Sequence, residues 1–297
     1  MPDRKRLPRP EWLKVSLKTT ENFRQVGALV SDHSLHTVCQ EARCPNIYEC
    51  WNERTATFMI LGDVCTRRCG FCSVKKGEPT DVDPEEPENL AKAAETMGLG
   101  YAVVTSVDRD DLPDGGAAHF ARTIAAIRTR LPRCGVEVLV PDFGGRRELL
   151  EVVLSARPDV LAHNLETVQA LYRRVRPIAV YGRSLDIVRA AVEHARENRL
   201  ELRAKCGIMV GLGETTDQVL ETIRDIADTG CDIVTIGQYL SPKRSSLPVE
   251  KFYTPAEFAF FREAALEAGI KHAESGPLVR SSYHAQHAHS RIRKTGR

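Results

Sequence analysis

The chain has almost no surplus of charge: 42 lysines and arginines stand against 40 aspartates and glutamates. The basic footprint of a nucleic-acid binder is therefore missing. There is no run of about 18 apolar residues, so no membrane span is expected. Met1 to Lys14 is basic and proline-rich and lacks the apolar stretch of a secretory signal. Three prolines in its first ten residues argue against the amphipathic helix of a mitochondrial transit peptide. A cytoplasmic protein is expected. Low-complexity segments and short-period repeats are also lacking.

What is present is ordinary in bulk and unusual in one window. At 297 residues, with 42% hydrophobic and 28% charged residues, the chain can bury one large core. Of nine cysteines, six fall between Cys39 and Cys72. The odd total, in a chain that is no small secreted scaffold, favours metal or redox chemistry over disulfides. Cys39, Cys44 and Cys50 form C-x4-C-x5-C; Cys65, Cys69 and Cys72 form C-x3-C-x2-C. An iron–sulfur cluster is normally held by four thiolates. Each triplet is one short, which suggests two clusters that each keep a position for another ligand.

From Ala56 onward, short β-branched runs alternate with helical stretches. Strands are expected near 57–61, 101–105, 136–140, 160–162, 202–210 and 233–236. Helices are expected at 89–97, 117–130, 146–156, 184–198, 216–229 and 255–268. This alternation implies a parallel sheet covered by helices. The fold class is α/β, a partial (β/α)6 TIM-like barrel with irregular N-terminal and C-terminal extensions. The expected division is an extension over 1–55 carrying the first triplet, the barrel over 56–270, and a C-terminal extension over 271–297. Barrel chemistry gathers at the strand C-terminal ends, and Cys65 lies just past the first strand.

Three thiolates on that loop, with Phe71 before the last, can cup three corners of a cubane. The fourth iron is then open to a sulfonium cofactor chelating through its amino and carboxylate groups. An electron from the cluster cleaves a carbon–sulfur bond and releases a carbon radical, chemistry that side chains cannot supply. A structural zinc site is the plain alternative, though zinc wants four closed ligands.

The loop is similar to the motif of the radical S-adenosylmethionine superfamily. Further stretches resemble the lipoyl synthase family within it. They are CQEARCPNIYECW (Cys39 to Trp51), TATFMILGDVCTRRCGFCSV (Thr55 to Val74), TSVDRDDLPDGGA (Thr105 to Ala117) and LVPDFGG (Leu139 to Gly145). HNLETV (His163 to Val168), VRPIAVYGRSL (Val175 to Leu185), GIMVGLGET (Gly207 to Thr215), IGQYLSP (Ile236 to Pro242) and GPLVRSSYHA (Gly276 to Ala285) complete the set. The resemblance implies insertion of two sulfur atoms at C6 and C8 of an octanoyl chain on a carrier lysine. The carriers implied are the lipoyl domain of 2-oxoacid dehydrogenases and the glycine-cleavage H protein. It implies two [4Fe-4S] clusters. One, on Cys65, Cys69 and Cys72, cleaves S-adenosyl-L-methionine; the other, auxiliary and sacrificial, sits on Cys39, Cys44 and Cys50. The auxiliary cluster's fourth ligand falls on Ser282, directly before Tyr283. A hard serine alkoxide on a soft site is readily displaced, which suits a cluster that gives up sulfur. Without the resemblance, Ser281 and Ser282 read as turn residues. The C-terminus must then fold back on the N-terminal arm. A ferredoxin or flavodoxin is the expected electron donor.

Other assignments are open between function and structure. Asn164 and Glu166 follow a strand and suit cofactor contact, with a satisfied hydrogen-bond network as rival. Gly211 suits a close backbone approach to the cofactor or a plain β–α turn. Arg176, Arg183, Lys205 and Arg280 are available to clamp carboxylates. The acidic run Asp108 to Asp111 reads as a solvated loop. His284, His287 and His289 read as a solvated tail rather than a metal site. Cys134, Cys206 and Cys231 are expected to be non-ligand thiols. Cys206 and Ser246 depart from the family pattern, which usually has serine and histidine there, so no histidine role is assigned at 246.

Overall fold

In the computed structural model, residues 7–283 and 285 are described. The expectations for His284, His287 and His289 lie outside them. The N-terminal arm opens with a 3-10 turn at Glu11–Leu13 and helix α1, Glu21–Asp32. Val26 and Val30 lie one turn apart and bury one face of α1. Strand β1 (His36–Thr37) leads into α2 (Val38–Glu41), whose first turn is capped by Thr37 through Gln40 N–H at 3.3 Å. Helix α3 (Ile47–Asn52) follows. Phe23 of α1 stacks on Tyr48 and tilts against Trp51, with ring centroids 5.3 and 5.1 Å apart. The arm is thus more regular than its sequence suggests. Gly27 interrupts the helical pattern of α1, yet it is where Trp51 packs closest.

Strand β2 (Thr57–Ile60) begins the barrel-type alternation. A two-stranded ribbon, β3 (Val64–Cys65) with β4 (Lys75–Lys76), carries the second triplet. Then come α4 (Glu86–Met97), β5 (Tyr101–Ser106), α5 (Ala117–Arg130), β6 (Gly135–Leu139), α6 (Arg147–Ser155) and β7 (Val160–Ala162). The chain continues through α7 (Tyr172–Val175), α8 (Tyr181–Glu197), β8 (Arg203–Val210), α9 (Thr216–Ala227), β9 (Ile233–Gln238), α10 (Pro255–Glu267) and β10 (His272–Gly276). Helices α9 and α10 start at full capping boxes, Thr215 with Gln218 and Thr254 with Glu257.

The sheet order is β1-β2-β5-β6-β7-β8-β9-β10. All neighbours pair parallel except β1, which runs antiparallel to β2 through His36↔Met59 and Thr37↔Phe58. The six expected β/α units are present, followed by one more parallel strand, β10. Its sequence, HAESG, has no apolar run, so only pairing with β9 reveals it. In the described residues β1 and β10 are the two ends of the sheet.

Strand alternation divides the molecule in two. Phe58, Ile60, Val104, Val138, Ile208, Val234 and their neighbours turn outward and form one core with the helices. Thr57, Met59, Thr105, Leu139, Gly207, Met209, Thr235 and Gly237 turn inward and line a cavity. Deeper inside, Lys205 Nζ pairs with Glu137 at 2.7 Å, and Tyr101 OH donates to the same carboxylate at 2.9 Å. Lys205 is therefore neutralised within the barrel and is not a cavity-lining clamp. Among the described residues no helix is long and apolar enough to cross a membrane.

Candidate active site

The cavity, about 540 Å³, opens at the C-terminal ends of the strands, where the β/α architecture gathers chemistry. Its walls include Cys39 and Cys44 of the first triplet, all three cysteines of the second, and Ser281 and Ser282. Cys50 sits behind the wall, close enough that Cys39 and Cys44 raise its pKa.

The C-x3-C-x2-C loop is fixed from several sides. Its base is the ribbon, with Cys65 opposite Lys76. Gly70 N–H donates to Val175 O at 2.9 Å, and Leu247 N–H donates to Gly70 O at 3.1 Å. Lys76 Nζ donates to Cys69 O at 2.9 Å, and Lys243 Nζ to Ser73 O at 2.6 Å. Between Cys65 and Cys69 the Arg67 guanidinium is buried. It reaches Asp142 at 2.6 Å, Asp110 at 2.7 Å and Asp108 at 3.3 Å. One side chain thus rivets the loop to the turns after β5 and β6. The acidic run is corrected accordingly: Asp108 and Asp110 face Arg67, and Asp111 is forked by Arg109, which also reaches Leu61 O. Arg183 leans on Asp142 at 3.4 Å and is not part of the cavity wall.

All six thiols are free, and burial pushes each of them up. Cys39 and Cys65 reach about 11, Cys50 and Cys69 about 12. Such thiols are poor nucleophiles. They are good metal ligands only if a cation replaces their protons. Arg176 beside Cys69 and Arg280 beside Cys44 act in the direction that stabilises thiolates. A single zinc ion needs sulfurs about 3.8 Å apart, from Zn–S bonds of about 2.3 Å in tetrahedral geometry. Among the described residues the one trio of potential ligands within 4.8 Å of one another is His36, Glu41 and Asp63. An ammonium, Lys75, already pairs with its Asp63. Neither cysteine triplet closes to zinc spacing. Three thiols set too wide for one metal ion leave room for a multi-metal group such as an iron–sulfur cluster.

The C-terminal segment does fold back on the arm. Asn46 Nδ2 donates to Leu278 O at 2.7 Å, and Tyr283 OH donates to Glu49 Oε1 at 2.9 Å. Gly237 makes the return possible, because a Cβ there would overlap Val279 O. Arg280 stands between the Cys44 thiol and Glu166, both of which act on its charge.

The remaining polar wall follows β7. Glu166 is stitched to β8 in a left-handed conformation (φ 66°), with its N–H on Gly207 O and its O accepting from Met209 N–H. That conformation costs on the order of 1–3 kcal/mol and aims the carboxylate at the cavity. Burial raises its pKa, opposed by Arg176. Asn164 Nδ2 donates to Glu166 Oε1 at 3.0 Å and to Ser281 Oγ at 3.3 Å, while its Oδ1 is buried without a partner. Arg176 donates through Nη1 to Asn164 O at 2.7 Å and lies 5.5 Å from the Tyr172 ring centre; its Nε has no partner. His163 is fully engaged. Its Nδ1 meets Val140 O at 2.8 Å, its Nε2 meets Ser184 Oγ at 3.0 Å, and burial lowers its pKa to about 4, so the ring is neutral.

Phe71, Asn164, Glu166 and Arg176 therefore share the cavity with the cysteines. Gly211 does not line it. Its φ of 106°, the Glu214 carboxylate on its N–H, and Gln238 and Lys251 O where a Cβ would stand make it a turn glycine. Arg67 and Asn46 were missed by sequence reasoning. Arg67 had a signal: two adjacent arginines, Arg67 and Arg68, inside the cysteine loop, complementary to the acidic run about forty residues on.

The signature of the Radical SAM superfamily matches residues 59–226, and that of the N-terminal domain of lipoyl synthase of the Radical SAM family matches residues 1–44. Over 290 residues the chain is 57% identical to a lipoyl synthase of Symbiobacterium thermophilum, covering 97% of this chain and 89% of that one. A lipoyl synthase of Rubrobacter xylanophilus is 54% identical, covering 95% and 87%. In solved structures the fold is similar to methylornithine synthase, with a TM-score of 0.54 at 15% identity over 87% of this chain and 79% of that one. It is also similar to Streptococcus suis SuiB bound to its precursor peptide, with a TM-score of 0.53 at 13% identity over 85% and 52%.

Proposed function

This chain belongs to the lipoyl synthase family of the radical S-adenosylmethionine superfamily, and from that premise we propose how its residues divide the work. The activity is sulfur insertion at C6 and C8 of a protein-bound octanoyl chain, with S-adenosyl-L-methionine, a [4Fe-4S] cluster and a lipoyl-domain substrate. Cys65, Cys69 and Cys72 hold the cluster that binds the sulfonium cofactor. Cys39, Cys44, Cys50 and Ser282 hold a second, auxiliary cluster that is the sulfur source. When bound, these groups supply one-electron chemistry and sulfide, which no side chain provides.

The protein's own part is binding, orientation and exclusion of water. The unpartnered Asn164 Oδ1 is an acceptor and the unpartnered Arg176 Nε a donor, both on cavity-lining residues. Buried polar atoms require partners, and a zwitterionic amino acid moiety offers one of each sign. Glu166 adds a carboxylate for the cofactor's hydroxyls or ammonium, and Phe71 packs beside it. Val15, Leu17, Val38, Met59, Leu240 and Pro242 give the same cavity an apolar side suited to an acyl chain. The glycine-cleavage H protein as a second carrier, a ferredoxin or flavodoxin as electron donor, and a cytoplasmic site of action belong to the same reading.

The observation that carries the proposal is that Cys39 and Cys44 of one triplet, all three cysteines of the other, and Arg280, Ser281 and Ser282 line one cavity. The test is an anaerobic reaction on an octanoylated lipoyl domain with S-adenosyl-L-methionine and a reductant. Each of the two C–H bonds becomes C–SH, so the expected product gains two sulfurs by mass with no net loss of hydrogen. It loses two hydrogens only when an oxidant added afterwards closes the dithiol to the dithiolane. Cofactor cleavage with a carrier of unchanged mass would overturn it.

A further inference from the structure

For Ser282 to complete the first triplet, helix α2 with Cys39 must be joined by three further pieces of chain: the Cys44 loop, helix α3 with Cys50, and the C-terminal segment. One residue touches all three. The backbone N–H of Asn46 reaches the Cys44 sulfur. Its backbone carbonyl accepts from Cys50 N–H at 2.9 Å. Its side-chain Nδ2 crosses to Leu278 O at 2.7 Å. Asn46 is only 3% exposed, and its Oδ1 is buried without a partner. Leaving a buried acceptor unsatisfied is costly, because the desolvated oxygen gets no partner in return. A serine or threonine at this helix start would cap α3 without that cost, and the Asn46 side chain makes no capping bond. The amide is oriented toward the C-terminal segment instead.

What Asn46 grips is short and stiff. Leu278 lies inside a turn closed by Val279 N–H on Gly276 O at 3.1 Å, and a second turn closes with Tyr283 N–H on Arg280 O at 3.0 Å. Val279 is pressed against Gly237. Fixing Leu278 therefore fixes Ser282, four residues on. Of the other ties, Asn164 Nδ2 reaches Ser281 Oγ at a longer 3.3 Å, and Tyr283 to Glu49 is exposed, where polar contacts contribute little.

We propose that Asn46 is a positioning residue that registers Ser282 on the Cys39, Cys44 and Cys50 triplet. The inference rests on the reading of Ser282 as the auxiliary cluster's fourth ligand. It separates two jobs. Without the Asn46 amide the second triplet is untouched, so cofactor cleavage persists, while the oxygen-ligated corner of the first cluster loosens.

The test uses full-length protein reconstituted anaerobically with iron-57, without S-adenosylmethionine, in four forms: wild type, Ser282→Ala, Asn46→Ala and Asn46→Asp. The Mössbauer difference between wild type and Ser282→Ala defines the serine-ligated iron. Both Asn46 variants are expected to reproduce that difference in whole or in large part. Amide exchange in segment 276–283 is expected to quicken about tenfold, the loss of one buried hydrogen bond, with the barrel strands unchanged. Should Asn46→Ala fail to hold either cluster, the same-sized Asn46→Asp, which replaces the donor with a carboxylate oxygen facing the Leu278 carbonyl, decides. A wild-type spectrum and wild-type exchange in Asn46→Asp, with Ser282→Ala altered, would overturn this inference and leave the ligand reading standing. A Ser282→Ala spectrum identical to wild type would overturn both.

Discussion

Cys69→Ala releases no 5′-deoxyadenosine from S-adenosyl-L-methionine, whereas Cys44→Ala still cleaves the cofactor and makes no sulfur-bearing product. The two variants differ because the triplets share a cavity but not a scaffold. Cys69 is on the loop clamped by the ribbon, Gly70 and Arg67, and Cys44 is on the arm clamped by the C-terminal segment. Cys69 is one of three thiols on its loop, so its removal leaves two ligands where four is the norm. The expected loss of cleavage is complete, measured by chromatography of the anaerobic reaction. In Cys44→Ala the cleavage wall of Asn164, Glu166 and Arg176 is intact, so 5′-deoxyadenosine accumulates without carrier modification. A Cys44→Ala enzyme that still makes dithiolane product would place the sulfur source elsewhere.

Arg67→Met lowers stability by about 3–5 kcal/mol, the usual cost of stripping one partner from a buried ion pair. The estimate follows from the partners left behind. Asp142 is fully buried, with its carboxylate held at about 2: burial acts to raise it, and the Arg67 bonds more than reverse that. Asp108 and Asp110 lose their nearest cation as well. Arg67→Lys keeps a charge but not the planar fork that spans two carboxylates, so it falls between wild type and Arg67→Met. Denaturant unfolding of the three proteins measures this. Because Arg67 lies between Cys65 and Cys69, cofactor cleavage should fall with stability. A loss under about 1 kcal/mol would show that the loop is held by its backbone bonds alone.

The parallel α/β architecture was legible because it is written in local periodicity. The strands at 57–60, 101–106 and 233–238 are short apolar, β-branched runs buried on both faces, set between longer helical stretches. Strand β10 was not, since HAESG carries no apolar pattern and exists by pairing alone. Helix α1 was not expected because 1–55 read as an irregular extension; it stands on packing against α3, where a Cβ at Gly27 would already meet the Trp51 ring at 3.2 Å. In the site, cysteine spacing brought five of six thiols to one wall, and the R-S-S-Y segment joined them. Gly211 misled because a glycine after a strand serves a turn as readily as a ligand. Asn46 stayed invisible because its partner, Leu278, is far along the chain, and the charge signal at Arg67 did not single out its distant partner Asp142. Long-range polar pairing leaves no period to read.

The central claim is that one cavity joins two incompletely thiolate-held clusters, and metal analysis of the anaerobically reconstituted protein tests it most directly. The account predicts about eight irons and about eight acid-labile sulfides per chain, four of each per cluster, falling by half in either triplet's alanine variant. A colourless protein with one zinc and little iron, or four irons insensitive to loss of Cys39, Cys44 and Cys50, would contradict it.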